Sequence, residues 1–105
     1  MNSRRKGKSG ELALVHKLKE LGYGVRRSQQ YAGINGDADV VGIDGYHIEC
    51  KYCDNGHGLT YEWMEQAKRD AKEGEIPIVI HKRVSTKHRG MAWLVTMELE
   101  DFDFH

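Results

Sequence analysis

The sequence predicts an α/β domain: a small mixed β-sheet flanked by helices, in the order α-β-β-β-α-β-β. Three observations predict it. An amphipathic helical stretch opens the chain, and short apolar or alternating segments separated by glycine-containing turns follow it. A second helical stretch then divides those segments into groups of three and two. At 105 residues the chain suits a single domain, residues 1–105, because two halves would each be too small to bury a core of their own.

Residues 1–8 read as a basic, flexible arm. From Ser9, an N-cap candidate, Leu14, Val15, Leu18 and Leu21 recur at helical spacing until Gly22 and Gly24 end the run. Glu11 precedes Leu14 and Val15 by three and four residues, so it joins their inward stripe. Residues 23–27 read as a short strand and 28–36 as a polar loop. Residues 39–43 are strand-like, Asp44-Gly45 is a two-residue hairpin turn, and 46–52 form the return strand. Period two places His47, Glu49 and Lys51 on one face of that strand and Ile48, Cys50 and Tyr52 on the other. After a turn-rich break, Thr60 caps a helix to about residue 73 through Trp63, Met64, Ala67 and Ala71. Residues 76–81 and 91–96 are strands joined by a basic loop, 82–90.

Charge is distributed in blocks. The formal net charge is zero, with 16 basic and 16 acidic side chains, yet residues 1–27 carry eight basic groups against Glu11 and Glu20. Residues 28–81 carry ten acids against four bases, 82–90 carry four bases and no acid, and 98–103 carry four acids and no base. Neutrality is therefore no evidence against a polyanionic partner. No apolar run approaches the roughly 20 residues of a membrane span, and the start is basic without the apolar stretch of a secretory signal. The expectation is a soluble cytoplasmic protein, with Cys50 and Cys53 reduced.

The chemistry concentrates in the acidic block. If the two strands pair through Asp44-Gly45, the acids Asp37, Asp39 and Glu49 converge with Lys51. Close carboxylates repel by roughly 4 kcal/mol per pair at an effective dielectric near 20, so a fold that gathers them usually supplies a cation. Oxygen donors favour Mg²⁺, with Mn²⁺ as a substitute, over zinc. A lysine two residues beyond the glutamate can hold a water beside such an ion, as metal-assisted phosphodiester hydrolysis requires. His47, Cys50, Cys53 and His57 have a spacing suggestive of zinc, but strand alternation sends His47 and Cys50 to opposite faces.

Gly36-Asp37-Ala38-Asp39-Val40-Val41 followed by Glu49-Cys50-Lys51 resembles the PD-(D/E)xK motif of the restriction-endonuclease-like nucleases. With residues 6–11, 22–27 and Glu65-Gln66-Ala67 added, the pattern is similar to that of the archaeal Holliday junction resolvases and their small phage-encoded relatives. Alanine stands at the motif's proline position; Asp39, directly before Val40-Val41, matches the motif aspartate better than Asp37. The resemblance implies that Asp39, Glu49, Glu11 and the backbone carbonyl of Cys50 hold Mg²⁺. It makes Lys51 the catalytic lysine, places Gln66 at a helix position beside the acidic site, and makes Arg26 and Arg27 phosphate contacts. It also implies DNA as partner, branched DNA such as a four-way junction as substrate, and a homodimer with one site per subunit, encoded by a phage or prophage. Arg4, Arg5, Lys6 and Lys8 in the arm, with Lys82, Arg83, Lys87 and Arg89 in the later basic loop, are further candidate phosphate contacts. Two other readings remain, a phage-type VRR nuclease acting on other branched or flap DNA and a non-catalytic nucleic-acid-binding module that keeps a nuclease fold.

Overall fold

The computed structural model describes residues 3–28, 38–85, 87 and 90–104, and for residues 3–6 the backbone alone. Two helices, α1 (Ser3–Glu20) and α2 (Thr60–Asp70), accompany five strands: β1 (Arg26–Arg27), β2 (Val40–Val41), β3 (Tyr46–Cys53), β4 (Ile76–Arg83) and β5 (Leu94–Thr96). The strands lie in the sheet in chain order. β3 and β4 run parallel over eight paired positions, from Tyr46 beside Ile76 to Cys53 beside Arg83, and every other neighbouring pair is antiparallel. The parallel step is the one that needs a crossover, and α2 supplies it.

The alternation of β3 and β4 separates the two faces. Ile48, Ile78 and Ile80 pack with Leu14, Val15 and Leu18 of α1, together with Val25 and Val40. Val79, one residue out of phase, packs with Met64 and Ala67 of α2. The sheet is thus a middle layer between helices, with the larger core under α1. Gly45 turns the chain between β2 and β3 with φ +86°, a conformation that the Asp-Gly pair favours.

Several boundaries differ from the sequence reading, and β1, β2 and β5 are shorter than the expected 23–27, 39–43 and 91–96. α1 starts at Ser3, so residues 3–8 continue the helix instead of forming an arm; Arg4, Arg5, Lys6 and Lys8 are good helix formers, and no cap at Ser9 is needed. Leu21 lies past the helix end and is 65% exposed, outside the inward stripe. α2 ends at Asp70, because Ala71 is already extended (φ −66°, ψ 140°). β4 continues through Lys82 and Arg83, which makes these two strand residues. Leu99 and Phe102 are exposed around a 3₁₀ turn, Leu99–Asp101. Asp37 and Arg89 lie outside the described residues.

One contact sets how closely α1 approaches the sheet. Gly10 is buried against Tyr52, and a Cβ built there would fall inside van der Waals contact with Tyr52 Cβ. Gly7, one turn earlier on the same helix, has open space. Gly7→Ala is expected to raise unfolding free energy by about 0.5–1 kcal/mol through helix propensity. Gly10→Ala gains the same propensity but has to displace Tyr52, and is expected to lower stability by about 1–3 kcal/mol. Urea denaturation of both variants checks the contrast, and equal effects would remove the claim of tight approach.

Candidate active site

Asp39 stands at the entrance to β2, where its backbone N–H donates to Ile48 O at 2.9 Å. One rung further along, the N–H of Cys50 donates to Asp39 Oδ2 at 2.8 Å. A side chain therefore closes the ladder at this point, and the carboxylate is fixed over the middle of β3. Glu49, one residue away and 4% exposed, reaches the same place and shares a hydrogen bond with Asp39. α1 brings Glu11 near enough for its charge to act on both Asp39 and Cys50.

Three acids from three elements thus crowd one partly buried position. Burial, the charge of Glu49 and that of Glu11 push Asp39 up from 3.8 to about 7, against the opposing hydrogen bond from Cys50. Burial raises the Cys50 thiol as well, helped by Asp39 and Glu11, so Cys50 is a neutral packing group and not a thiolate ligand. The donor set of carboxylate oxygens suits a hard divalent cation, and the charge surplus is what such an ion would relieve.

Lys51 projects from the Glu49 face of β3 toward α2, where its Nζ donates to Gln66 Oε1 at 3.1 Å. The helix supplies an uncharged acceptor, so the ammonium is oriented without being neutralised. Glu11, Asp39, the consecutive Glu49, Cys50 and Lys51, and Gln66 thus come to one region from four separate parts of the chain.

The candidate phosphate contacts are more scattered. Arg27 is drawn onto Glu11, Nε to Oε1 at 3.0 Å, so it balances the acidic cluster. Arg26 on the adjacent strand position, Lys8 on α1 and Lys87 are exposed. Lys82 sits over the Trp93 ring, 5.9 Å from its centroid, while Trp93 stacks on Tyr52 at 5.6 Å. Lys82 and Lys17 flank a groove lined also by Leu21, Met91 and Trp93. Arg83 donates to Asp54 O at 2.8 Å. Arg4, Arg5 and Lys6 lie in the first turns of α1, with side chains outside the described residues.

Two groupings were missed in the sequence. His47 is 1% exposed, and its Nε2 lies 2.7 Å from Glu49 Oε1, with Glu75 Oε1 3.8 Å from Nδ1. Burial opposes a charge on this ring, but the bond and charge of Glu49, with Glu75 and Asp70, outweigh it and raise the imidazole above its usual value. Alternation placed His47 beside Glu49; Asp70, one turn after Gln66 on α2, was the signal left unread. The second is a chain of side chains at the far end of β3. His57 Nε2 lies 2.9 Å from Cys53 O, so in a neutral pair it carries the proton, and Nδ1 accepts from His81 Nδ1 at 3.1 Å. His81 Nε2 then accepts from Thr96 Oγ1 at 3.0 Å, and burial followed by the neighbouring His57 lowers the His81 pKa. This arrangement uses Cys53 and His57 but holds His47 and Cys50 elsewhere, so the four do not form a zinc site.

Comparisons with protein-family models, curated proteins and solved structures each return no match to this chain. No helix among the described residues is long and apolar enough to cross a membrane.

The raised Asp39 has a consequence for stability. Between its unfolded value near 4 and about 7 the native state holds the extra proton, so without divalent cations stability falls as pH rises through that window. Asp39→Asn keeps the acceptor for Cys50 N–H and removes the charge. At pH 8 in EDTA it is expected to unfold at a temperature several degrees above wild type, and the two should converge near pH 4. Thermal scans at both pH values check this; a lower melting temperature for Asp39→Asn at pH 8 would contradict it.

Proposed function

We propose that this chain is a divalent-metal-dependent nuclease that hydrolyses DNA phosphodiester bonds with a restriction-endonuclease-like site, most similar to a structure-selective endonuclease of the Holliday junction resolvase kind. The observation that carries the reading is the meeting of Glu11, Asp39 and Glu49 from α1, the head of β2 and β3, with Lys51 presented beside them by Gln66 of α2. An ordinary surface strand with alternating charge would leave these groups solvated, whereas Glu49 is buried and Asp39 largely so.

In this reading Asp39, Glu49, Glu11 and the Cys50 carbonyl hold Mg²⁺, for which Mn²⁺ substitutes. A bound divalent ion supplies Lewis-acid activation of water and offsets charge developing on the phosphate. Asp39 and Glu49 would hold such an ion once Asp39 has released its proton. Lys51 sets a positive charge toward the phosphoryl oxygens and helps to hold the attacking water in line. Gln66 keeps the ammonium from collapsing onto Glu49. Arg27 limits the repulsion that Glu11 adds. Lys8 and Arg26 are exposed contacts for the backbone of a DNA held over the site.

A homodimer acting on branched DNA in the cytoplasm, that of a host cell if the chain is phage-encoded, completes the proposal. Support for a second copy comes from β5, the last strand in the sheet order, where Leu94 and Val95 are 58% and 60% exposed. Light scattering should give twice the mass of the chain, and Val95→Lys should halve it; a monomeric wild type would rule the dimer out.

The central test is cleavage of a four-way junction, a flap and linear duplex with Mg²⁺. Glu49→Gln and Lys51→Ala are expected to lose at least 100-fold in cleavage rate, on the order expected for a lost general or electrostatic catalyst. DNA affinity should stay close to wild type and fall steeply with salt. Wild-type cleavage by Glu49→Gln would end the assignment. Binding without cleavage of any substrate by the wild type would favour the non-catalytic module, and preference for flaps over junctions the VRR-type reading.

A further inference from the structure

The far side of Glu49 is as crowded with ligating atoms as the near side. A His47 ring nitrogen, a Glu49 carboxylate oxygen and an Asp70 carboxylate oxygen lie within 4.8 Å of one another. Of these, His47 Nε2 and Glu49 Oε1 are hydrogen-bonded at 2.7 Å, a contact that a cation would take over by displacing the shared proton. His47 and Glu49 are 1% and 4% exposed, so two of the three donors are out of water.

The surroundings are built to orient the imidazole. Glu75 Oε1 stands 3.8 Å from His47 Nδ1 and is itself held by the backbone N–H of Lys72 at 2.8 Å. At 3.8 Å Glu75 makes no hydrogen bond with the ring, whose orientation is set by the 2.7 Å contact of Nε2 with Glu49. A cleft of about 210 Å³, lined by His47, Glu75, Lys72, Ser28 and the turn before β3, brings solvent to the Glu75 side of the ring. The charge does not balance within the group, since Glu49, Asp70 and Glu75 surround a single imidazole and Asp39 lies beyond.

We infer that His47 and Asp70 form a second cation site, with Glu49 as the carboxylate shared between it and the Asp39 site. The inference rests on the reading of Asp39 and Glu49 as cation ligands. One nitrogen with two carboxylates selects a first-row transition ion such as Mn²⁺ over Mg²⁺, which prefers an all-oxygen shell. The two sites therefore differ in chemistry: the Asp39 site accepts either ion, and the His47 site discriminates.

Calorimetric titration with Mn²⁺ and with Mg²⁺, joined to electron spin-echo measurement of ¹⁴N coupling to bound Mn²⁺, tests this on the intact chain. Wild type is expected to take two Mn²⁺ and one Mg²⁺ per chain, with ¹⁴N modulation. Asp70→Asn should keep one Mn²⁺ and lose the modulation, and Asp39→Asn should keep one Mn²⁺ with the modulation intact. His47→Gln should behave as Asp70→Asn does; because His47 is buried, the partly buried Asp70 carries the test if that variant fails to fold. A single Mn²⁺ that is lost in Asp39→Asn but unchanged in Asp70→Asn would overturn the second site while leaving the nuclease reading in place. A single Mn²⁺ lost only in Asp70→Asn, with ¹⁴N modulation in wild type, would support the His47 site and remove Asp39 as a ligand. Absence of any bound Mn²⁺ would overturn both.

Discussion

Two carboxyl groups, Asp39 and Glu49, sit close enough to share a hydrogen bond inside a small domain, and the arrangement around them can be understood as the means of tolerating that repulsion. Without neutralisation such a pair is costly in a low-dielectric setting. The fold answers in several ways at once. A backbone N–H of β3 is spent on Asp39, Arg27 is spent on Glu11, and His47 is spent on Glu49. The acids and their partners come from α1, β1, the head of β2 and β3, so the acids can stay together only while all four are docked.

The division of labour on β3 makes this possible. Ile48 and Cys50 are committed to the α1 side, where the apolar core supplies most of the burial, and the intervening residues are released from that duty. His47, Glu49 and Lys51 can therefore be polar on a central strand, and α2 answers with Gln66 and Asp70 on one helical face while Met64 and Ala67 pack on Val79 beside them. A hydrophobic cluster of modest size on that side is the counterpart of a polar site that replaces part of it.

The parts of the chain governed by local rules were legible in the sequence. Alternation in β3, the Asp44-Gly45 turn and the order of helices and strands each follow from neighbours in the chain, and with them came the faces on which Glu49 and Lys51 stand. What was not legible depends on distant partners. The helical start at Ser3 lies in a run without apolar residues, where the periodic stripe that marks α1 further on is missing, and the continuation of β4 through Lys82 and Arg83 is stabilised by pairing with Tyr52 and Cys53 across the sheet. Arg27 reads as a free cation until Glu11 is set next to it. His47 lacked a role because its partners, Asp70 and Glu75, lie more than twenty residues later and meet it only through the parallel β3–β4 crossover.

Gly10 precedes Glu11 directly, and the seat of α1 against Tyr52 at that glycine is also the seat of the first acid of the cluster. The absent side chain acts as a gauge: it fixes how deep the helix can lie and hence the reach of the neighbouring carboxylate. Tyr52 in turn is braced by Trp93, so the gauge is set against a rigid aromatic stop instead of a yielding aliphatic surface. A domain of this size can in this way hold a charged side chain to a fixed depth with no residue of its own contacting it for that purpose, by regulating the distance between two backbones.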